Sequence, residues 1–282
     1  MQLGVFAKTF EVVGARSVLQ AVADAGFACT QFNMACVGLA AMPDTVDQPT
    51  RASITEASRA TGIDIIALSG TYNMIHPDPA VRRQGLARLD VLGSVCASIG
   101  TRLLTLCTGT RDPDDQWRKH PDNGTAEAWR DLLAEFEPAL AIAEKHDIHL
   151  GVEPELANVV SSAQRARQLI DELQSDRVRI ILDPANLVEA ASDGDRRAIV
   201  DRAVGLLADR IAMAHAKDRN ADGTFATAGK GVIDFRHFVD LLRGAGFDGP
   251  LVAHGLAAAE ASDVAGFLGE VLGRTARQEP AA

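Results

Sequence analysis

The sequence contains only four cysteines in 282 residues, and no two of them form a CxxC pair. Cys29, Cys96 and Cys107 lie in apolar surroundings typical of reduced thiols in a protein core. This cysteine usage excludes a disulfide framework and predicts a cytoplasmic location.

Long apolar runs are also missing. No stretch approaches the roughly 18 consecutive apolar residues that a membrane-spanning helix needs. The first residues, MQLGVFAKTF, lead directly into a predicted strand and lack the basic and apolar regions of a signal peptide. We therefore expect neither a membrane segment nor a leader.

Basic residues are outnumbered: 28 Lys and Arg stand against 38 Asp and Glu, which gives a formal net charge of −10. A chain with this balance has no basic field that would attract a phosphate backbone over long range. The composition argues against nucleic acid as a partner and favours a small polar substrate.

What the chain does contain is eight short apolar runs, each followed by a polar stretch and a segment of helical periodicity. The runs are Gln2–Ala7, Thr30–Ala35, Ile63–Ser69, Arg102–Thr108, Ile148–Glu153, Val178–Asp183, Ile211–His215 and Leu251–His254. Helices between strands supply the crossovers that parallel strands require. We predict an α/β fold, a (β/α)8 TIM barrel, with residues 1–276 as one domain and 277–282 as a tail.

An open, doubly wound sheet is the alternative α/β arrangement. Such a sheet would be expected to carry a glycine-rich phosphate turn after its first strand. Here Lys8, Thr9, Phe10 and Glu11 follow the first run instead. The closed barrel is favoured.

Four of the later runs end in side chains that can bind a metal or move protons: Glu153, Asp183, His215 and His254. Working residues of a TIM barrel lie at the carboxyl ends of its strands. Burial of a carboxylate there is unfavourable unless it is paired or metal-bound. Mixed oxygen and nitrogen donors suit Mn, Fe, Co or Zn better than Ca. We predict that these four residues bind one divalent metal ion.

Other polar residues follow the same strand ends. His76, after the third run, is a candidate acid or base, or else an ordinary loop histidine. Lys217 could hold a substrate oxygen or phosphate, or could pair with an acidic residue. Glu155 is a candidate substrate-binding residue, or could hold backbone amides in its turn.

The long segment after the fourth run contributes Arg111 and Trp117, which we predict to bind substrate. A segment of this length is more often a lid or contact segment than an idle connection. Trp117 could serve as a platform on which a sugar stacks.

Five segments resemble the xylose isomerase-like TIM barrel superfamily, which includes sugar epimerases, inosose dehydratases and endonuclease IV. They are GVEPE around Glu153, ILDPANL around Asp183, AHAKD around His215, GKGVIDF at 229–235 and GFDGPLVAH at 246–254. The resemblance covers essentially the whole chain. It implies that Glu153, Asp183 and His215 are metal ligands and that Glu153 moves protons.

The chain departs from that family at two positions. Many relatives have a second glutamate on the eighth strand, where this chain has His254, and epimerases usually have histidine where this chain has Asn186. A neutral imidazole acts as a base only while its lone pair is free of metal. Asn186 can orient a hydroxyl but cannot shuttle protons, so we assign it to substrate binding.

The resemblance favours a metal-dependent isomerase or epimerase that acts on a sugar or keto-sugar-like substrate by proton transfer next to a carbonyl. Two alternatives stay open. One is a keto-polyol dehydratase or lyase on the same scaffold, which needs only one base. The other is a non-catalytic barrel that binds a sugar or serves as a partner subunit. The resemblance also implies a homo-oligomer.

Overall fold

Eight parallel strands close into a barrel in the computed structural model, which describes residues 1–188 and 193–275. The barrel strands are β1 (Leu3–Phe6), β2 (Cys29–Phe32), β3 (Asp64–Ser69), β4 (Leu103–Leu106), β5 (His149–Val152), β6 (Val178–Leu182), β7 (Ile211–Ala216) and β10 (Leu251–Ala253). Neighbours along the chain pair with one another, and β10 closes the ring against β1. Between β7 and β10, the short strands β8 (Asp218–Arg219) and β9 (Phe225–Ala226) form an antiparallel hairpin. The predicted TIM barrel is confirmed.

Helices follow each barrel strand on the outside. They are α1 (Ala15–Asp24), α2 (Gln48–Thr61), α3 (Pro79–Cys96), α4 (Ala126–His146), α5 (Ala163–Leu173), α6 (Asp193–Leu207), α7 (Phe235–Gly244) and α8 (Ala261–Thr275). The predicted tail, residues 277–282, lies outside the described residues. Within the described chain, no helix combines the length and hydropathy that crossing a bilayer requires.

Side-chain caps explain where several helices begin. Asp47 accepts a hydrogen bond from the amide of Thr50 at the start of α2, and Ser162 accepts one from Arg165 at the start of α5. These caps satisfy amides that have no partner inside the helix. The second predicted run was too long: β2 ends at Phe32, and Asn33 instead caps a short 3-10 turn.

An apolar plug fills the middle of the barrel lumen. It consists of Ala67, Leu103, Ile181, Met213 and Val252, all buried. Side chains alternate between the two faces of a strand, so a residue two positions beyond a plug residue also faces the lumen. By this alternation Asp183, two residues after Ile181, and His215, two after Met213, face inward above the plug.

Two helical glycines give a matched prediction. A Cβ at Gly85 in α3 would overlap the buried ring of Tyr72, whereas a Cβ at Gly205 in α6 would meet nothing within 4 Å. Alanine is the better helix former by roughly 1 kcal/mol. We expect Gly205→Ala to raise the free energy of unfolding by about 0.5–1 kcal/mol. Gly85→Ala should lower it by about 1–3 kcal/mol, because the core must move to make room.

Urea denaturation of both variants, with the wild type alongside, measures these changes. Equal stabilisation by the two substitutions would show that α3 does not press on Tyr72.

Candidate functional site

A cavity of about 490 Å³ opens at the carboxyl end of the barrel. Its wall combines residues in or after all eight barrel strands with Phe225 of the inserted hairpin. Among those lining it are Lys8, Gln31, Gln116, Trp117, Glu153, Glu155, Asn186, His215, Lys217, Phe225 and His254. The cavity is large enough for a small-molecule ligand.

Three side chains at the carboxyl end of the barrel converge. One potential ligand atom from each of Glu153, Asp183 and His215 lies within 4.8 Å of the others. Glu153 follows β5, Asp183 follows β6, and His215 belongs to β7. His215 Nδ1 lies 3.1 Å from Glu153 Oε1. Adjacent parallel strands thus bring together residues that are 30 or more positions apart in sequence.

The orientation of the His215 ring is fixed by Gln31, a buried residue of β2. Its Oε1 lies 2.8 Å from His215 Nε2, and its Nε2 donates to Thr105 Oγ1 at 3.3 Å. Because an amide oxygen only accepts, His215 Nε2 carries the proton. Nδ1 faces Glu153, where it donates a hydrogen bond when protonated and offers its lone pair to a metal when it is not.

These residues fit a divalent metal. Asp183 uses Oδ1 to accept the amide of Ala185 at 3.0 Å, but its Oδ2 is buried without a hydrogen-bond partner. Among the described residues, the cation paired with this oxygen is Lys217, whose Nζ lies 3.7 Å from Asp183 Oδ2, beyond hydrogen-bond range. A buried carboxylate oxygen without a donor matches a missing positive group. Two carboxylates with one imidazole nitrogen form a donor set typical of transition metals.

The charges of these groups depend on one another. Burial alone would raise the pKa of Glu153, but its contact with His215 and the charge of Lys217 outweigh burial and hold the pKa at about 2. Complete burial raises the pKa of Asp183, opposed by Lys217 and reinforced by Glu153. Glu153 is thus the ionised carboxylate of the pair in the absence of a bound cation.

His254 lies beside this cluster but outside it. Its ring stacks on His215, with centroids 5.3 Å apart and planes 5° apart, and Phe6 packs against it at 5.3 Å. Its Nδ1 is buried and has no hydrogen-bond partner. Burial lowers the pKa of His254 to about 3, and the neighbouring His215 and Lys217 add to this effect. The imidazole is neutral near pH 7 and keeps a ring nitrogen available.

Three predicted substrate-binding residues line the same cavity. Asn186 donates from Nδ2 to Glu153 Oε1 at 2.7 Å, while its Oδ1 is buried without a partner. Burial raises the pKa of Glu155 to about 7. Lys217 Nζ lies 4.1 Å from the centre of the Phe225 ring. The polar groups of these side chains surround the cavity on the β5, β6 and β7 sides.

Two other predicted residues are placed elsewhere. His76 bonds through Nε2 to Pro113 O at 3.0 Å and accepts the amide of Asp78 on Nδ1. Arg111 pairs with Asp131 at 2.6 Å. Neither lines the cavity, because both hold loop segments together next to it. Trp117 does line it and is 52% exposed at the mouth.

Sequence reasoning missed Gln31 and Phe225. Gln31 is a polar residue inside an apolar run, a signal that the alternation of the strand could have revealed. Phe225 is 51% exposed and rests on two cations, Lys217 and Arg219, at 4.1 and 4.2 Å. No periodic pattern marks Phe225, since its place depends on the hairpin.

Solved structures of similar fold include several sugar epimerases. The 3-keto-D-glucoside 4-epimerase of E. coli has a TM-score of 0.76 at 15% identity, with 96% of this chain and 99% of that chain covered. A D-tagatose 3-epimerase-like protein has a TM-score of 0.79 at 16% identity, with 99% and 100% covered. The IOLI protein with a bound zinc atom has a TM-score of 0.74 at 16% identity, with 97% and 99% covered.

Comparisons of the sequence gave one negative and one positive result. No curated protein has significant sequence similarity to the chain. The model of the xylose isomerase-like TIM barrel family matches residues 19–266, which is most of the sequence. The chain therefore belongs to the xylose isomerase-like TIM barrel family.

Proposed function

We propose that this protein is a divalent-metal-dependent isomerase or epimerase of a sugar or keto-sugar-like substrate. The observation that carries the proposal is the convergence of Glu153, Asp183 and His215 within 4.8 Å, with Glu153 and His215 lining a cavity of about 490 Å³. Similarity of fold to sugar epimerases supports the same reaction class. When bound by these three residues, Mn, Co, Fe or Zn would polarise a substrate carbonyl and its neighbouring hydroxyl.

Glu153 would remove the proton next to the carbonyl. Its carboxylate is ionised and lies at the cavity wall, where Asn186 Nδ2 fixes one of its oxygens. Asn186 Oδ1, which has no partner among the described residues, would orient a substrate hydroxyl, and so would Lys217 Nζ, which lies between Asp183 and Phe225. His254 is neutral and keeps Nδ1 unpartnered, so it can accept the proton of a substrate hydroxyl and pass it to the carbonyl oxygen, while Glu153 returns its own proton to carbon.

Solvent isotope exchange tests the proposal. The protein, loaded in turn with Mn²⁺, Co²⁺ and Zn²⁺, is incubated in D₂O with a panel of ketohexoses, ketopentoses and 3-keto-glucosides. We expect deuterium to enter the carbon next to the carbonyl of at least one substrate, in step with formation of its epimer or isomer. Protein that is folded yet binds no metal and exchanges no proton would favour the non-catalytic barrel instead.

A lyase or dehydratase is the second candidate, and the imidazole at position 254 favours it. Epimerisation uses two bases on opposite faces of one carbon, whereas elimination of water needs one base and one acid. Glu153 would be the base and, once protonated, the acid that gives its proton to the departing hydroxyl, so His254 need not act as a second base. Mass spectrometry of the same incubations separates the candidates, because a lyase product is 18 Da lighter than its substrate.

Substitution of His254 separates proton transfer from metal binding. Because His254 lies outside the three-residue cluster, we expect His254→Gln to leave the Kd for Co²⁺ nearly unchanged. Turnover should fall by about 10²-fold, the usual contribution of a general acid or base. Titration with Co²⁺ and steady-state kinetics measure the two effects. A large loss of Co²⁺ affinity would place His254 among the ligands.

A further inference from the structure

A second cavity of about 510 Å³ lies between the loop that precedes α4 and the loop that precedes α5. Lys119, His120, Asn158 and Arg165 are among the residues that line it. None of these four residues lines the first cavity, the one at the carboxyl end of the barrel. Among the described residues, no aspartate or glutamate lines this second cavity.

Its free side-chain groups are hydrogen-bond donors. His120 Nδ1 accepts the amide of Asp122 at 3.2 Å, so Nε2 of the neutral ring carries the proton. Asn123 also borders the cavity, but its Oδ1 already accepts from Thr110 Oγ1 and from the amide of Arg111. Lys119 makes no ion pair in the described part of the chain. Apart from the Ser161 hydroxyl, which can do both, the side-chain groups left over can donate but not accept.

Asn158 gives the strongest single indication. It is only 2% exposed, and its Oδ1 accepts the amide of Gly109 at 2.7 Å. This bond assigns the other atom as Nδ2, which is buried and has no acceptor. A buried donor without an acceptor is unfavourable by about 1–3 kcal/mol, so an acceptor should normally be bound there.

Arg165 supplies a fixed charge. Its guanidinium lies 4.7 Å from the centre of the Trp129 ring and donates from Nη1 to Gln168. Glu172 is the acidic residue that interacts with this charge, but its carboxylate accepts hydrogen bonds from Trp129 and Gln168 rather than from Arg165. It sits in the first turn of α5, where the helix dipole adds further positive potential. A stacked guanidinium retains donors in a planar arrangement that matches an oxyanion.

We propose that this cavity binds a phosphate group. A tetrahedral oxyanion offers only acceptors and negative charge, which complements Lys119, His120, Asn158 and Arg165. Two sources share this chemistry: free inorganic phosphate, or the phosphate ester of a substrate. Both loops also contribute to the first cavity, at the carboxyl end of the barrel. Trp117, two residues before Lys119, and Glu155, three residues before Asn158, line it.

Calorimetric titration of the full chain with inorganic phosphate tests the proposal, with sodium chloride at equal ionic strength as the blank. We expect saturable 1:1 binding that Arg165→Gln weakens about tenfold or more, the usual effect of losing a charge-assisted bond. Lys119→Gln, at an exposed position, should weaken it less and leave the fold intact. Arg179→Gln, at the opposite end of the barrel, is the matched control and should bind as the wild type does.

The source of the phosphate is found by titration with D-fructose 6-phosphate and with D-fructose. A substrate ester predicts that the phosphorylated sugar binds more tightly than D-fructose and is displaced by inorganic phosphate. A separate anion predicts that D-fructose and phosphate bind without affecting each other. Absence of phosphate binding, or equal Kd values for Arg165→Gln, Lys119→Gln and the wild type, would overturn the proposal whether or not the sugar reaction occurs.

Discussion

Glu153→Gln is expected to lower kcat by about 10³-fold, within the range that a general base contributes. The substitution is isosteric, and the glutamine Oε1 can still accept from Asn186 Nδ2. It removes the negative charge that would take up the substrate proton and would also bind the metal. The fold should persist, because the only change in the cavity is one oxygen atom replaced by an amide nitrogen.

Measurements of kcat and of deuterium incorporation from D₂O check this expectation together. Glu144→Gln, an exposed glutamate on α4, is the control for loss of one negative charge and should keep full activity. If Glu153→Gln retained deuterium exchange at the wild-type rate, the base would have to be another residue of the cavity.

Gln31→Met is expected to weaken metal binding by about 10–100-fold, the range found when a hydrogen-bond partner of a metal-ligating histidine is removed. Methionine has a similar length but no acceptor for His215 Nε2. Without that acceptor the proton can move to Nδ1, the nitrogen that faces Glu153. The tautomer that is useful for binding a metal is then no longer enforced.

Competition of the protein with a chelator for Zn²⁺ measures the affinity, and ¹⁵N shifts of the His215 ring in metal-free protein report the tautomer. Gln31→Glu restores an acceptor and should recover the wild-type tautomer. Gln116→Met, at another glutamine of the cavity wall, controls for the loss of an amide. Unchanged ¹⁵N shifts in Gln31→Met would show that Gln31 does not position the ring.

Strand ends were the most predictable part of the site. Ile181 and Asp183, or Met213 and His215, stand two residues apart on strands whose carboxyl ends meet at one end of a barrel. Apolar runs and the alternation rule therefore sufficed to foresee that Glu153, Asp183 and His215 would meet. The barrel itself followed from the eightfold recurrence of strand and helix.

Loop side chains were not predictable in the same way. Arg111 and His76 are suited to a substrate pocket by chemistry, but Asp131 and Pro113 O take up their polar groups. Such partners come from distant parts of the chain, and no local pattern marks them. His254 was foreseen at the cavity, yet its distance from the donor cluster depends on how its ring stacks on His215.

The apolar plug in the lumen has a consequence for protein engineering. It separates Glu153 and Asp183 from His149 and Arg179, which lie four residues earlier on the same strands, about 13 Å away at strand spacing. Only apolar residues stand between these two pairs along β5 and β6. A crosslink at the amino-terminal rim of the barrel can therefore improve shelf life while the carboxyl rim, with Glu153 and Asp183, is evolved separately.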